Sequence, residues 1–312
     1  APAMPKPFRF SASLGGTPTA EIVELAQRAE SLGYASVSLP DHFDDQPAPL
    51  MGLLAAALGT TTIRVLPLVL ANDYRHPVVL AKELATLDAL SDGRLELGIG
   101  AGWMTADYAF SGIGHDSPGT RIERLSESVG IITSLLRGDV VESTSRHYEV
   151  HGSLAPPLPA QEGGVPLLLA GGRQKMLTLA GAKADIVGIN PGLTAGVIDE
   201  RAGRDATLER TDRKLEWVRE GAGDRFDDLE IQTRVHLAQI HDDREAFAAE
   251  MAPLLGLTAE EALSSPHALV GTVEQCVDEL QSWRDRWGIS YITLDGNQLD
   301  EFAPVGEALA GT

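Results

Sequence analysis

Short apolar segments alternate with longer amphipathic segments along the whole of this 312-residue chain. The apolar segments are rich in Val, Ile and Leu, which is typical of strands buried on both faces of a sheet. Segment 19–32 has apolar residues at helical spacing, and Gly33 follows it as a helix stop. The eight predicted strands are Phe8–Leu14, Ser36–Pro40, Ile63–Leu70, Arg94–Gly98, Val165–Ala170, Asp185–Ile189, Leu229–His236 and Ile289–Leu294.

This alternation predicts βα repeats and therefore an α/β fold with a parallel sheet. Two architectures fit the length of the chain, a closed (β/α)8 TIM barrel and an open, doubly wound sheet. The count of eight strands favours the barrel. Because no linker, low-complexity segment or change of composition divides the chain, we expect one TIM-barrel domain over residues 1–312.

Three long segments interrupt the predicted repeats. Residues 103–118 follow the fourth strand, residues 138–164 precede the fifth, and residues 190–212 follow the sixth. The second of these segments contains a small predicted hairpin, Val140–Glu142 with His147–Val150. Because barrel enzymes carry their sites at the carboxyl ends of the strands, we expect these insertions to form the pocket of a small-molecule substrate.

The chain is strongly acidic, with 45 acidic and 25 basic residues and a formal net charge of −20. Such a surface repels nucleic acid and anionic membranes, so neither is an expected partner. No apolar run approaches the roughly 20 residues of a membrane-spanning helix. The N-terminal residues lack the apolar core of a secretory signal, and the single Cys276 cannot form an internal disulfide. We therefore expect a cytoplasmic protein.

Several kinds of site are disfavoured by the motifs that the sequence lacks. The eight histidines include no H-E-x-x-H pair, and Cys276 has no second cysteine with which to bind zinc, so no metal site is expected. A nucleophile elbow and a Walker lysine loop are also missing. This set of potential ligands argues against a metal-dependent barrel hydrolase, which is a further alternative.

Asp41 and His42 directly follow the second predicted strand. An imidazole at the barrel mouth beside a carboxylate can donate to a developing anion or exchange a proton near neutral pH. The alternative is that both side chains only cap the next segment through hydrogen bonds. Position alone does not separate the two interpretations.

Pro67 interrupts the apolar run of the third predicted strand. A proline there removes a ladder hydrogen bond, which predicts a bulge or an irregular strand end that brings main chain close to a planar ligand. An early end of the strand is the alternative. His76, just before Pro77, opens the next helix and is expected to be structural.

Glycines follow two further predicted strands. Gly98, Gly100 and Gly102 leave no side chains, so a ring or a phosphate could approach the backbone, but their spacing does not match a dinucleotide fingerprint. After the fifth strand, Gly171 and Gly172 precede a helical pattern with two basic residues in its first turn. The N–H groups of that helix N-terminus predict a phosphate cradle, with a tight βα turn as the alternative.

Together these motifs resemble the bacterial luciferase-like superfamily and, within it, the coenzyme F420-dependent oxidoreductases. The resemblance is carried by LPDHF at 39–43, YRHPVVLAKELATLDALSDGRLELGIGAGW at 74–103 and PLLLAGGRQKMLTLAGAKAD at 166–185. The segment TVEQCVDELQSWRDRWGISYITL at 272–294 matches the last repeat. The long central block is the most specific of these motifs.

The resemblance implies a TIM barrel that binds an isoalloxazine-type ring at the carboxyl ends of the strands. Asp41 and His42 would lie next to the ring, and the irregular strand near Leu68 and Val69 would back it, often through a non-prolyl cis peptide. The implied pocket and phosphate residues are Gly100, Ala101, Trp103, Gly171, Gly172 and Lys175. A homodimer is implied by the resemblance alone.

Some positions depart from the family pattern. The sugar-phosphate dehydrogenases of this superfamily carry a glutamate where this chain has Ala101. The acid–base role of that glutamate cannot be transferred to this chain, which argues against glucose 6-phosphate as the substrate. Asp107 stands where many relatives have a glutamate. The Leu-Pro-Leu sequence of the third strand leaves the position of the cis bond open by one residue.

The resemblance therefore predicts hydride transfer between C5 of bound F420 and a small organic substrate, with His42 stabilising or protonating the substrate atom that gains charge. One alternative is an FMN-dependent two-component monooxygenase, because the two cofactors share the ring face and the first phosphate. An alternative of another class is a non-catalytic flavin- or deazaflavin-binding protein. The sequence does not identify the substrate.

Overall fold

The computed structural model describes residues 4–193, 195–197 and 199–312 of the chain. Thr194 and Ile198, in the predicted insertion 190–212, lie outside the described residues. The strands in this part of the chain are β1 (Arg9–Ser13), β2 (Ser36–Leu39), β3 (Arg64–Pro67), β4 (Leu70–Ala71), β5 (Leu97–Gly100), β6 (Val141–Thr144), β7 (Glu149–Gly152), β8 (Leu167–Gly171), β9 (Ile186–Ile189), β10 (Glu230–Arg234), β11 (Leu237–Ile240), β12 (Ala268–Gly271) and β13 (Ile289–Asp295).

The helices in the same part of the chain are α1 (Ile22–Ser31), α2 (Pro49–Leu58), α3 (Pro77–Leu90), α4 (Thr105–Ser111), α5 (Pro118–Leu136), α6 (Gln174–Lys183), α7 (Glu200–Arg204), α8 (Leu208–Ala222), α9 (Arg244–Met251), α10 (Ala259–Leu263), α11 (Val273–Trp287) and α12 (Leu299–Leu309). Short 3-10 helices lie at Thr19–Glu21, Asn72–Tyr74, Gly223–Asp228, Ala252–Leu255 and Gly296–Gln298. None of the described helices is long and apolar enough to cross a membrane.

Nine of the strands form one parallel sheet in the order β3-β2-β1-β13-β10-β9-β8-β5-β4. β3 and β4 are two halves of one barrel strand, because only residues 68 and 69 separate them. The sheet closes where β4 pairs with β5 and where Val65 forms an isolated bridge with Leu95. The predicted TIM barrel is confirmed.

Two apolar layers hold the barrel together. The larger lies between the strands and the surrounding helices, and a smaller one inside the barrel includes Leu66, Leu168 and Tyr291. Charged side chains fill the interior at the amino ends of the strands, where Arg9 Nη1 lies 2.6 Å from Glu96 Oε1 and the Tyr291 hydroxyl donates to Glu96 at 2.9 Å. With this end filled, the open end of the barrel is the one formed by the carboxyl ends of the strands.

Two predicted strands differ from the observed ones by more than one or two residues at an end. The third, Ile63–Leu70, is split by a cis peptide bond between Leu68 and Val69, at the irregularity that Pro67 predicted. The fourth begins three residues later than expected, as β5. Its predicted first residue, Arg94, instead donates from Nη2 to the Ala57 carbonyl in α2 at 2.6 Å, so it anchors the turn before the strand.

The predicted insertions contain α4, the hairpin of β6 and β7, and α7. The hairpin is antiparallel, as expected, with Val141 opposite Gly152. Residues 237–272 form a fourth excursion that the sequence analysis missed. In it β11 and β12 make a separate two-stranded parallel sheet, with α9 and α10 between them. Its two strands have four residues each and its helices α9 and α10 have eight and five, which is too short to stand out by periodicity.

Candidate active site

The carboxyl ends of the barrel strands surround a cavity of about 1260 Å³. Its walls come from strand ends that lie far apart in the sequence but meet at one rim of the barrel. All ten residues that the sequence analysis proposed for the site line this cavity: Asp41, His42, Leu68, Val69, Gly100, Ala101, Trp103, Gly171, Gly172 and Lys175. The fold thus brings the four predicted motifs together in one place.

His42 is held by a carboxylate from the first insertion. Its Nδ1 lies 2.7 Å from Oδ2 of Asp107, a buried residue of α4. The same carboxylate accepts hydrogen bonds from the Tyr74 hydroxyl at 3.2 Å and the Phe43 amide at 3.3 Å. A proton on Nδ1 that is donated to Asp107 leaves Nε2 free to exchange a proton. Trp103 packs edge-on against the imidazole, with ring centroids 5.5 Å apart.

Tyr74 remains a hydrogen-bond donor in this arrangement. Burial raises the pKa of its hydroxyl, and the nearby Asp107 carboxylate raises that pKa further. The neutral phenol therefore helps to fix the Asp107 carboxylate, which in turn orients His42.

Asp41 does not pair with the His42 imidazole. Its two carboxylate oxygens accept from Arg75, with Nη1 to Oδ2 at 2.6 Å and Nη2 to Oδ1 at 3.2 Å. Oδ2 also accepts from the Ala71 amide at 3.0 Å. A buried carboxylate that is neutralised by a two-pronged guanidinium contact is suited to hold β4 in place. The carboxylate partner of His42 is Asp107, whose role the sequence analysis had left open.

The glycines of β5 pack against the irregular strand. A Cβ on Gly98 would lie 2.1 Å from the Pro67 carbonyl oxygen, and one on Gly100 would lie 3.0 Å from Cγ2 of Val69. The sequence analysis interpreted these glycines as space for a ligand. The structure shows that Gly98 allows β5 to approach the main chain of Pro67, and that Gly100 makes room for the Val69 side chain and also lines the cavity.

The glycines after β8 lead into the N-terminus of α6. The side chain of the N-cap residue Arg173 makes no capping hydrogen bond to the first turn of this helix. A Cβ on Gly172 would lie 2.5 Å from the Asn190 carbonyl oxygen, which ties this turn closely to the loop after β9. Lys175 is exposed at the same helix end. Free N–H groups beside basic side chains suit a phosphate.

A further wall of the cavity was not predicted. Gln232 and Arg234 come from β10, His236 follows it, and Ser265 and His267 precede β12. We call these five residues the histidine wall. Arg234 and His236 stand at the end of a predicted strand, as His42 does, so the same positional rule could have identified them.

Outside the cavity, the described residues include one close group of metal-ligating types. Single ligand atoms of Glu123, Glu127 and His147 lie within 4.8 Å of one another. Glu127 accepts from the Ser145 hydroxyl at 2.6 Å and from the His147 amide at 3.1 Å. These contacts join the β6–β7 hairpin to α5.

Comparison with known proteins agrees with this geometry. An F420-dependent glucose-6-phosphate dehydrogenase of Mycobacterium avium is 34% identical over 175 residues, which are 53% of this chain and 51% of the relative. The chain thus spans about half the length of the curated relatives that it matches first. A 4-hydroxyprotoasukamycin monooxygenase of Streptomyces nodosus subsp. asukaensis is 25% identical over 297 residues, 85% of this chain and 77% of the relative.

The solved structure of a coenzyme F420-dependent tetrahydromethanopterin reductase from Methanopyrus kandleri superposes with a TM-score of 0.76. It covers 97% of this chain and 99% of that protein at 18% identity, which shows a shared fold. The sequence profile described as luciferase-like monooxygenase matches residues 6–216, more than half of the chain. The predicted resemblance is thereby confirmed, and the chain belongs to the luciferase-like monooxygenase family.

Proposed function

We propose that the protein is an F420-dependent oxidoreductase that transfers a hydride between C5 of the deazaflavin and a small organic substrate. The observation that carries the proposal is the His42–Asp107 pair at the mouth of a deep cavity in this family's barrel. Relatives named as F420-dependent dehydrogenases support this choice of cofactor.

The residues around the cavity fit such a cofactor. Leu68 and Val69 offer a flat apolar wall for the ring, with Gly100, Ala101 and Trp103 beside it. Gly171 and Gly172, the open N-terminus of α6 and Lys175 would hold the phosphate. When bound, the deazaflavin supplies a carbon centre that gives or accepts a hydride.

The protein's own part of the chemistry is proton transfer and orientation. The Asp107 carboxylate and the Tyr74 hydroxyl hold His42 so that Nε2 is available to the substrate oxygen. When an alcohol is oxidised, Nε2 accepts the hydroxyl proton as the hydride leaves the carbon. When a carbonyl is reduced, Nε2 returns that proton to the oxygen. Asp41 and Arg75 act by positioning β4.

Cofactor binding to the purified protein tests this proposal. We expect oxidised F420 to bind with micromolar affinity and FMN to bind negligibly, measured by quenching of cofactor fluorescence. Lys175→Ala should weaken F420 binding about threefold to tenfold, because an exposed cation contributes modestly to anion binding. Lys183→Ala is the matched control, since Lys183 lies at the other end of α6 and contacts the Ser126 carbonyl.

A second candidate is an FMN-dependent two-component monooxygenase. The similarity to 4-hydroxyprotoasukamycin monooxygenase, which extends over 85% of this chain, favours it. Tight FMN binding with no F420 binding would support this candidate and contradict our proposal. F420 binding without turnover of any substrate in a broad panel of alcohols and carbonyl compounds would instead favour a non-catalytic cofactor-binding protein.

A further inference from the structure

The histidine wall lies across the barrel from the wall proposed for the ring. Once β3 and β4 are counted as one strand, four steps around the barrel separate them from β10 in either direction. A ring that lies on Leu68 and Val69 therefore turns its free face towards Arg234 and His236. The substrate must occupy the space between the ring and the histidine wall.

The single cation of the histidine wall is already neutralised. Nη2 of Arg234 lies 2.5 Å from Oδ1 of Asp295, and its Nη1 donates to the Ser13 hydroxyl at 2.9 Å. Asp295 ends β13 and Ser13 ends β1, so neighbouring barrel strands hold the guanidinium. Arg234 is thus engaged by protein groups on two sides.

The two histidines of this wall are neutral at physiological pH. Burial and, to a smaller extent, the charge of Arg234 lower the pKa of His236 from 6.5 to about 4. Protein atoms enclose the His236 imidazole enough to cause this shift, but the residue remains exposed where it lines the cavity. Burial also lowers the pKa of His267 well below its usual range.

The histidine wall offers a hydrogen-bond acceptor, while its one cation, Arg234, is paired with Asp295. Nδ1 of His267 lies 2.9 Å from the Arg234 carbonyl oxygen and donates to it, which leaves Nε2 as an acceptor. That buried Nε2 has no hydrogen-bond partner among the described residues. The excursion 237–272 lines the rest of this side with apolar side chains, namely Leu255, Leu257, Ala262 and Ala268.

We propose that the site takes an uncharged substrate with an apolar body and a hydroxyl or carbonyl group, in place of a phosphorylated sugar. This inference rests on the proposed function. A phosphate placed against the histidine wall would lose its hydration without meeting an unpaired cation there. The relatives named for glucose 6-phosphate therefore share the barrel and the proposed cofactor with this protein, but differ in substrate class.

Two probes that differ only in charge test the inference on the full chain with bound F420. Cyclohexanol and cyclohexyl phosphate are titrated while the fluorescence of bound F420 is measured, and glucose 6-phosphate is tested for F420 reduction. We expect cyclohexanol to bind at least tenfold more tightly than cyclohexyl phosphate and glucose 6-phosphate to give no reduction. Equal or tighter binding of the phosphate, no binding of either probe at 10 mM, or saturable reduction by glucose 6-phosphate would overturn the inference.

The variant Asp295→Asn tests whether pairing with Asp295 prevents Arg234 from binding a phosphate. It keeps the shape of the side chain but removes the negative charge beside Arg234. This variant should bind cyclohexyl phosphate at least tenfold more tightly than the wild type and leave cyclohexanol binding unchanged. Asp300→Asn is the control, because Asp300 pairs with Arg28 away from the cavity. Unchanged phosphate affinity in Asp295→Asn would contradict the role assigned to the Arg234–Asp295 pair.

The two levels of the proposal fail in different ways. If F420 does not bind to the wild-type protein, the proposed function falls and the substrate class falls with it. If F420 binds and the phosphate probe is preferred, only the substrate class is wrong. The wild-type comparison does not depend on the folding of any variant.

Discussion

At the scale of single residues, the site depends on which side chains are already engaged. His42 has one ring nitrogen committed to Asp107, and Asp41 has both oxygens committed to Arg75 and the Ala71 amide. A side chain whose hydrogen-bonding atoms are all bound within the protein can orient its neighbours. A side chain that keeps one such atom without a protein partner can contact a substrate. By this criterion the proposed function assigns proton transfer to Nε2 of His42.

Replacement of His42 tests this assignment directly. His42→Ala should lower kcat by about 100-fold to 10,000-fold, the usual range for a general acid–base. F420 affinity should change by less than about threefold, because the ring and phosphate walls stay intact. Steady-state kinetics with any substrate of the wild type, together with F420 titration, measure both quantities.

His76→Ala is the matched control for that substitution. Nδ1 of His76 accepts from the Val78 amide at 3.3 Å and caps α3, and the residue does not line the cavity. We expect wild-type kcat in this variant. Wild-type kcat in His42→Ala would remove the imidazole from the mechanism.

At the scale of elements, the cavity walls are positioned by strands and loops whose backbones pack closely against one another. β5 can lie against residues 67–69 because Gly98 and Gly100 have no side chains. The turn after β8 meets the loop after β9 for the same reason, at Gly172. The glycines that look like a ligand motif in the sequence are therefore required first by packing between strands and loops.

A methyl group on Gly98 tests that packing. Gly98→Ala would place Cβ 2.1 Å from a main-chain oxygen, so one of the two strands must move. Overpacking of this kind costs about 1–3 kcal/mol of unfolding free energy and should also weaken F420 binding. Gly130→Ala in α5 is the control, because its Cβ would meet nothing within 4 Å, and it should be neutral or stabilising. Urea denaturation measures both variants, and equal stability would contradict the packing role.

Glu30 joins α1 to the segment before β3. Burial raises the pKa of its carboxyl, but the amides of Thr62, Ile63 and Thr61 outweigh that effect and lower the pKa to about 2. A carboxylate with a depressed pKa in the folded state stabilises the protein above the unfolded pKa near 4.5. This contribution is lost as the pH falls towards 2.

Glu30→Gln should therefore lower the unfolding free energy by about 1 kcal/mol at pH 7, and by progressively less below pH 4.5. Chemical denaturation at several pH values measures this difference. Glu24→Gln is the control, since Glu24 is an exposed residue of the same helix. A pH-independent difference between Glu30→Gln and the wild type would show that the charge is not responsible.

At the scale of the whole molecule, a histidine at the cavity makes the stability of the fold depend on pH. The pKa of His236 is about 4 in the folded state, because of burial and then Arg234, whereas an unfolded histidine titrates near 6.5. Below pH 6.5 the unfolded chain therefore binds more protons than the folded chain. His236 therefore does not lower the free energy of unfolding above pH 6.5, but it lowers that free energy progressively as the pH falls from 6.5 towards 4.

The variant His236→Gln should show a shallower loss of stability between pH 6.5 and pH 4 than the wild type. It removes one titrating group and keeps a neutral polar side chain at the cavity. Thermal unfolding at half-unit pH intervals measures the slope. Parallel slopes for the wild type and His236→Gln would contradict burial of a neutral imidazole.

The sequence alone was sufficient for the barrel and for the strand ends that form one side of the cavity. Val, Ile and Leu runs identify strands buried on both faces, and residues at the carboxyl ends of parallel strands meet at one rim whatever their separation along the chain. For that reason His42, Gly100 and Gly171 could be placed together in advance. These inferences use local periodicity and a rule of topology.

Only the tertiary structure decided which polar groups pair with one another. Asp107 lies 65 residues from His42, and Asp295 lies 61 residues from Arg234, so no local pattern links the members of either pair. The excursion 237–272 was missed because its strands are held by contacts with each other and with the barrel. Charge state and hydrogen bonding depend on what burial brings within about 3 Å, and that distance is set by the fold and not by spacing along the chain.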